Sequence, residues 1–140
     1  MLIVKHTIET KATPMQIWRV WQDVDNWKKW DRDIELSRIE GPFQTGTTGA
    51  TKFVGTPPFK TLLTQVEPLK LVVQEAYLSY AKVVSYQSMS QVAGKTQVTF
   101  QVEIRGPLSL FFACMLGRFI KRKIPPEMEE MTKRALMIQE

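Results

Sequence analysis

The sequence offers few side chains that could do acid–base or nucleophilic chemistry together. His6 is the only histidine and Cys114 the only cysteine. No Ser–His–Asp set can be assembled without His6, which lies in a predicted strand and has no motif partner. Two close carboxylate pairs flank predicted short helices, where aspartate commonly caps the backbone: Asp23 with Asp25, and Asp31 with Asp33. We therefore predict no catalytic residues, no metal ligands and no cofactor.

Polar side chains on the predicted strands could instead orient a ligand. The candidates are Thr51, Gln74, Tyr86 and Ser88. In one phase of the strand spanning residues 71–80, Gln74 faces inward with apolar neighbours, whereas in the other phase Glu75 does. Because an unpaired buried carboxylate is costly, we favour the phase with Gln74 inside. The alternative is that these polar groups are solvated or bonded to the backbone.

A basic run lies within the predicted C-terminal helix and consists of Arg118, Lys121, Arg122 and Lys123. It could contact an anionic membrane surface weakly while a lipid is delivered, or it could form a solvated outer face. Base-stacking aromatics are not interleaved with it, apart from Phe119, which the helical periodicity places inward. We therefore expect no nucleic-acid partner.

The composition is that of an ordinary globular chain with a basic surplus. Hydrophobic residues make up 44% and charged residues 24% of 140, which excludes an intrinsically disordered chain. The 19 basic and 14 acidic side chains give a net charge of +5. One cysteine excludes a disulfide scaffold, and no targeting segment or membrane span is visible. We expect a single domain, residues 1–140, in the cytoplasm.

Two short helices are predicted after the first strand. Thr13 is placed to cap the first of them, and Gln16 completes a capping-box pattern three residues later. The second helix, residues 25–30, presents two aromatic side chains on one side, Trp27 and Trp30. These tryptophans could form the rim of a cavity, or they could pin the short helices to the sheet.

Seven strands are predicted, at residues 2–10, 34–39, 47–55, 59–67, 71–80, 82–90 and 96–105. The last has the clearest alternation, since its apolar face contains Val98, Phe100, Val102 and Ile104 while its other face is polar. One buried and one solvated face indicate an antiparallel sheet.

The remainder, residues 108–138, is predicted to be helical and to kink or restart at Pro125-Pro126. It is the only element long enough to cover the dry face of the sheet. We predict an α+β helix-grip fold, in which a curved seven-stranded antiparallel sheet wraps around a long C-terminal helix. A cavity between them is a common place for a ligand.

An ordered set of short motifs resembles a known superfamily. The motifs are IETKATP at 8–14, Ile17-Trp18, Asp23, Trp27, Trp30-Asp31, Gly41-Pro42, GTTG at 46–49, Glu67-Pro68, GKTQVT at 94–99 and Gly106-Pro107-Leu108. Because these motifs occur in this order, the chain resembles the START-like, birch-pollen-allergen-like (SRPBCC) superfamily. Within that superfamily, it resembles the bacterial polyketide cyclase/dehydrase and lipid-transport-like group. The resemblance implies a START-like ligand-binding domain, but this fold serves many functions.

We predict that the domain binds a small hydrophobic or amphipathic ligand, such as a lipid or polyketide, and acts as its carrier. The expected ligand-binding residues are Trp27, Trp30, Phe53, Leu63, Gln74, Ala76, Tyr86, Phe100, Phe112, Met115 and Phe119. A polyketide cyclase or dehydratase using the same cavity is an alternative. It would need a titratable group inside, for which Glu75, Tyr77 and Tyr86 are the candidates. A protein-interaction module using the basic helix is the third hypothesis, and the oligomeric state stays open.

Overall fold

The computed structural model describes residues 1–139 and consists of one antiparallel sheet, two short helical segments and one long helix. Its elements are β1 (Leu2–Thr10), α1 (Pro14–Gln22), a 3₁₀ helix (Val24–Lys29), β2 (Ile34–Ile39), β3 (Thr48–Phe53), β4 (Phe59–Glu67), β5 (Leu71–Leu78), β6 (Ala81–Val92), β7 (Lys95–Arg105) and α2 (Ser109–Leu136). The predicted helix-grip fold is confirmed, as are the bounds of β1, β2 and β4.

The sheet has the strand order β1-β7-β6-β5-β4-β3-β2, and all its pairs are antiparallel. Breaks in register at Leu2/Val4, Ile34/Leu36 and Leu63/Gln65 interrupt three of the ladders. Such bulges bend and twist a strand, which helps a sheet curve around a helix. The predicted alternation of β7 is confirmed, since Thr96, Val98, Phe100, Val102 and Ile104 are all buried.

The start of α1 has the predicted capping box. Thr13 Oγ1 accepts from the Gln16 backbone N–H at 3.2 Å, and Gln16 Oε1 accepts from the Thr13 N–H at 2.9 Å. Gln16 Nε2 also donates to the Ile138 carbonyl at 2.8 Å. The cap therefore fixes α1 locally and also holds the C-terminal end of the chain against it.

The long helix α2 passes through Pro125 and Pro126 without a break. Of the two predicted outcomes at this diproline, a kink or a restart, the restart is therefore wrong. The prolines remove the donors that would reach the carbonyls of Lys121 and Arg122, and both of these residues are exposed, so water can solvate the freed carbonyls. In the described part of the chain, no helix is both long and apolar enough to cross a membrane.

The core lies between the inner face of the sheet, α1, the 3₁₀ helix and the second half of α2, residues 123–136. The second half of α2 contributes Ile124, Met128, Met131 and Ala135 to it. The first half (residues 109–122) differs from the prediction at Met115, which was expected to face a ligand and is instead exposed to solvent. Phe112 and Ile120 are only partly buried, over a small cluster formed by Ile3, Ala81 and Ile104.

Candidate functional site

A cavity of about 340 Å³ lies between the inner face of the sheet and α2. It is bounded by strands β3 to β7 on one side and by the stretch of α2 from Leu116 to Glu127 on the other. Five aromatic side chains line it: Trp27, Trp30, Phe53, Phe59 and Phe119. The volume falls at the lower end of the ~300–1,000 Å³ that is usual for small-molecule sites.

The structure brings some of the predicted ligand residues to this cavity and leaves others elsewhere. Those that line it are Trp27, Trp30, Phe53, Gln74, Ala76 and Phe119. Leu63 and Phe100 are buried in the core beside it, Phe112 covers the small cluster, and Met115 is 56% exposed on the outside of α2. Whether the lining residues bind a ligand stays a prediction.

The two tryptophans lie in the core beside the short helices and also line the cavity. Trp27 and Trp30 are almost fully buried, and their rings lie 6.2 Å apart. Trp27 Nε1 donates to the Trp21 carbonyl at 2.9 Å, which fastens the 3₁₀ helix to α1. They therefore pin the short helices and also form part of the cavity wall.

The predicted orientation of β5, with Gln74 facing inward and Glu75 outward, is the one that the structure has. Gln74, Ala76 and Leu78 all face the cavity. The neighbouring strands add further polar lining groups, namely Thr51, Thr61, Ser85 and Gln87. Thr51 was among the predicted orienting groups, whereas Ser88 pairs with Thr99 on the opposite face of the sheet. These uncharged polar groups of the wall thus come from β3 to β6.

The predicted acid–base candidates lie on the outer face of the sheet. Arg105 donates to the Tyr86 hydroxyl at 2.9 Å, so the expected inward position of Tyr86 is wrong. The Tyr77 hydroxyl and the Lys82 ammonium both donate to Glu75 at 3.0 Å. Strand pairing explains this placement, because Tyr86 lies opposite Gln101 of β7, a residue on the polar face.

The cavity wall instead contains a charged group that sequence reasoning missed. Lys123 Nζ lies 2.8 Å from Asp31 Oδ2, 3.5 Å from Glu127 Oε2 and 3.9 Å from Asp33 Oδ2. We call Asp31, Asp33, Lys123 and Glu127 the ionic cluster. All four side chains line the cavity. The Lys123 ammonium also lies 5.0 Å from the centre of the Phe53 ring, within cation–π range.

Local structure explains how these residues meet. Lys123 and Glu127 are four residues apart on α2 and therefore share one face of the helix. Asp31 follows the 3₁₀ helix, and its Oδ1 accepts from the Asp33 backbone N–H at 3.1 Å, an Asx turn that orients both aspartates. The cluster thus joins α2 to the segment leading into β2.

Burial sets the protonation of the cluster. Only 13% of the Lys123 side chain and 10% of the Glu127 side chain are exposed. Burial raises the pKa of Glu127 to about 8, an effect that the Lys123 charge only partly offsets. Burial by itself lowers the pKa of Lys123. The nearby carboxylates of Glu127 and Asp31 raise it by more, so the pKa of Lys123 lies above its usual value. At pH 7 Lys123 is charged, whereas Glu127 is mostly protonated.

Lys123 is therefore not part of an exposed basic patch, and that part of the prediction is wrong. Arg118, Lys121 and Arg122 are exposed as expected. The available signal was helical spacing, because Ile120, Lys123 and Glu127 follow one another at i, i+3 and i+7 on the inward face. The adjacent basic residues made Lys123 look like one more surface charge.

Some buried polar atoms of the wall have no hydrogen-bond partner within residues 1–139. They are Glu127 Oε2, Gln87 Oε1 and Trp30 Nε1. Buried polar atoms are normally paired, so each can make a hydrogen bond that the protein itself does not supply. Among the same residues, no three His, Cys, Asp or Glu side chains gather closely enough to hold a metal ion.

Comparison with known proteins gives one match at the level of a family. A family model described as "Polyketide cyclase / dehydrase and lipid transport" matches residues 1–135. No curated protein matches the chain.

Solved structures with the same architecture are numerous and distant in sequence. The aromatase/cyclase Zhui from a Streptomyces species is 14% identical, with a TM-score of 0.73 over 95% of this chain and 92% of its own. Ara h 8.0201 is 16% identical, with a TM-score of 0.71 over 96% and 100%. Truncated norcoclaurine synthase from Thalictrum flavum is 15% identical, with a TM-score of 0.66 over 97% and 94%. At these identities the likeness extends to the fold alone.

Proposed function

Since this chain belongs to the polyketide cyclase/dehydrase and lipid-transport family, we propose that it binds and carries a small hydrophobic or amphipathic ligand in the cavity between the sheet and α2. The observation that carries the proposal is the cavity itself, whose wall is largely aromatic and aliphatic. Removing apolar ligand surface from water contributes about 25 cal/mol per Å², before the costs of ordering the ligand are subtracted. Polar groups from β3 to β6 and the ionic cluster would set its orientation.

The volume limits the size of the ligand. At about 340 Å³, the cavity lies near the lower limit of the ~300–1,000 Å³ that small-molecule sites occupy. A single-chain amphiphile or a compact ring system fits this space, whereas a two-chain phospholipid does not. We therefore favour a small single-chain or cyclic molecule such as a short polyketide.

Native mass spectrometry of protein purified from its own host tests the proposal, together with calorimetric titration of 1-decanol as a defined neutral probe. Ala76→Leu should reduce the bound ligand and weaken decanol binding at least tenfold, because Ala76 lines the cavity. Thr99→Leu, on the outer face of β7, is the matched control and should bind as the unmodified protein does. Equal binding by a folded Ala76→Leu variant would contradict a ligand in this cavity.

A cyclase or dehydratase is the second candidate function, and Glu127 is the observation that favours it. A carboxyl group with a pKa of about 8 beside a charged lysine suits general acid–base catalysis near neutral pH. Incubation with a β-hydroxy-ketide thioester, followed by mass spectrometry for loss of water, tests it. Conversion that Glu127→Gln abolishes supports the enzyme, and no conversion by the unmodified protein rejects it for this substrate class.

We also propose that the exposed half of α2 contacts an anionic membrane surface. Exposed apolar side chains gather at the start of this helix and form what we call the apolar end: Tyr80, Leu108, Leu110, Phe111 and Met115. The Leu108 N–H donates to the Tyr80 carbonyl at 3.1 Å, which brings the β5–β6 turn beside the helix. A patch of this kind commonly marks an interaction surface.

Charge complementarity selects an anionic bilayer as the occupant. Residues 106–126 include no aspartate or glutamate, and Arg118, Lys121 and Arg122 are exposed within them. At 1.5 Å per residue, these basic side chains lie about 10 Å beyond the apolar end along the helix axis. That separation lets the apolar end enter the acyl boundary while the basic side chains stay at the phosphate groups.

Vesicle sedimentation tests this contact. Phosphatidylglycerol vesicles should bind the protein and pure phosphatidylcholine vesicles should not. Lys121→Gln should weaken binding about fivefold, corresponding to ~1 kcal/mol per basic residue near the surface. Lys133→Gln, in the exposed part of the second half, is the control and should change nothing. Equal effects of the two substitutions, or a dimer in solution that conceals the apolar end, would contradict the proposal.

A further inference from the structure

The ionic cluster has more negative than positive groups at the cavity wall. Lys123 faces the carboxylates of Asp31, Asp33 and Glu127. In the described part of the chain, no other ammonium or guanidinium lies within 4.0 Å of these three carboxylates. Lys123 donates to Asp31, and its distance to Glu127 is 3.5 Å. One cation is therefore shared among three acidic side chains.

Two of the buried oxygens in the wall accept no hydrogen bond within the described residues, although Lys123 Nζ lies 3.5 Å from one of them. They are Glu127 Oε2 and Gln87 Oε1, and both residues line the cavity. An ammonium group brings three donors and no acceptor, whereas a carboxylate brings acceptors only. The third unpaired atom, Trp30 Nε1, is a donor and suits a hydroxyl or ether oxygen on the same ligand.

The aromatic lining also suits a cation. The Lys123 ammonium already lies 5.0 Å from the Phe53 ring centre and 5.7 Å from that of Phe119. Trp27, Trp30 and Phe59 add further ring surface to the same cavity. Aromatic faces attract cations through the ring quadrupole, and the attraction strengthens where water is excluded.

From this geometry we propose that the cavity selects an amphiphile whose polar end is a protonated amine, which pairs with Glu127, and discriminates against carboxylates of the same chain length. The inference rests on the proposed ligand-binding function and names the chemical class of its ligand. The apolar chain would lie along Phe53, Ala76 and Phe119, and the ammonium would lie at the ionic cluster.

Pairing with an amine requires Glu127 to lose its proton. The protonated carboxyl and the incoming ammonium give a carboxylate–ammonium pair, and one proton goes to solvent. The titratable groups that line the cavity are Asp31, Asp33, Lys123 and Glu127. Burial raises the pKa of Glu127 to about 8, so amine affinity should rise about tenfold per pH unit from pH 6 to 7 and level off above pH 8.

The experiment compares three ten-carbon probes by calorimetry on the full chain: decylamine, 1-decanol and decanoate. At pH 7.5 we expect decylamine to bind at least tenfold more tightly than decanol, and decanoate to bind most weakly. Decanoate binding as tightly as decylamine would overturn the inference while leaving the carrier function in place, provided that decanol binds. Failure of all three probes would reject both.

Two substitutions on the same helix localise the effect. Glu127→Gln should bring the ratio of amine to alcohol affinity close to one and abolish proton release. The unmodified protein should release about one proton per amine at pH 7, measured in buffers of different ionisation enthalpy. Glu129→Gln, at an exposed position of α2, should keep the preference.

Asp33→Asn is the second test of the amine preference and is used if the Glu127→Gln protein does not fold. Asp33 lines the cavity with a side chain that is 40% exposed, so the substitution removes a cluster charge without emptying the core. It should lower the amine preference about threefold to tenfold, in line with one partly screened charge. An unchanged preference in a folded Asp33→Asn protein, or in a folded Glu127→Gln protein, would contradict the assignment.

Discussion

The two halves of α2, residues 109–122 and 123–136, contribute to the molecule in different ways. The first half leaves Leu110, Phe111 and Met115 in contact with solvent, whereas the second half buries Met128 and Met131 completely. The difference follows from what lies opposite each half. The second half packs against α1 and the tryptophan-rich core, whereas the first half covers the small cluster formed by Ile3, Ala81 and Ile104 and borders the cavity.

This comparison shows that amphipathic spacing alone does not determine which apolar residues are buried. The helix packs closely against the rest of the protein in its C-terminal half, whereas many side chains of its N-terminal half stay exposed. The cavity lies at the boundary between the two halves. Phe119 and Ile120 of the first half line it, and so do Ile124 and Glu127 of the second half. The cavity therefore coincides with the change in packing.

The largest effect should come from removing the buried cation of the second half. Lys123→Met would leave the buried Asp31 carboxylate without its counter-charge, and breaking a buried ion pair typically costs about 3–5 kcal/mol of unfolding free energy. Lys121→Met, two residues away and exposed, should change stability by less than about 0.5 kcal/mol. Urea unfolding of both variants measures the difference, and equal losses would contradict the contrast between the halves.

A methionine pair tests the same contrast without charge. Met131→Ala should lower the free energy of unfolding by about 2–5 kcal/mol, because this side chain is fully buried and its loss leaves a cavity. Met115→Ala, in the exposed half, should lie within about 0.5 kcal/mol of the unmodified protein. A loss at Met115 as large as that at Met131 would show that the first half is covered in solution.

The effect that is smallest per step of the measured variable is a gradual dependence of stability on pH, to which Glu127 of the second half should contribute. Glu127 has a raised pKa of about 8 in the folded state, so the folded protein holds this proton more tightly than the unfolded chain. Its contribution is present at pH 4.5 and is lost as the pH rises toward 8. The slope should be at most about 1.4 kcal/mol per pH unit. Denaturation of Glu127→Gln across this range should show a flatter profile, and an identical profile would place the titration elsewhere.

Much of the fold was predictable because it depends on local signals. The capping box at Thr13 and Gln16 needs only four consecutive residues, and the alternation of β7 needs only one strand with one buried face. The strand β6 was harder, because Val84 is buried on the outer face while Ser85 and Gln87 face the cavity. Polar residues on the inner face and apolar ones on the outer face reverse the usual pattern, which is why Tyr86 was placed on the wrong side.

The site was less predictable because its charged members come from distant parts of the chain. Asp31 and Lys123 are 92 residues apart and meet only after α2 packs against the segment that follows the 3₁₀ helix. Carboxylates beside a short helix are usually caps, and a lysine inside a basic run is usually solvated. Neither residue type carries a local mark that distinguishes it from these commoner cases.

The diproline at Pro125-Pro126 falls just after the boundary between the two halves of α2. Two consecutive residues there lack an amide hydrogen, so the backbone ladder that couples one half to the other is missing two rungs. This weakens the cooperativity between the two halves, so local unfolding of the first half should stop at this junction. We expect the first half to open and close as a separate unit while the second half stays anchored in the core, giving the cavity one movable wall.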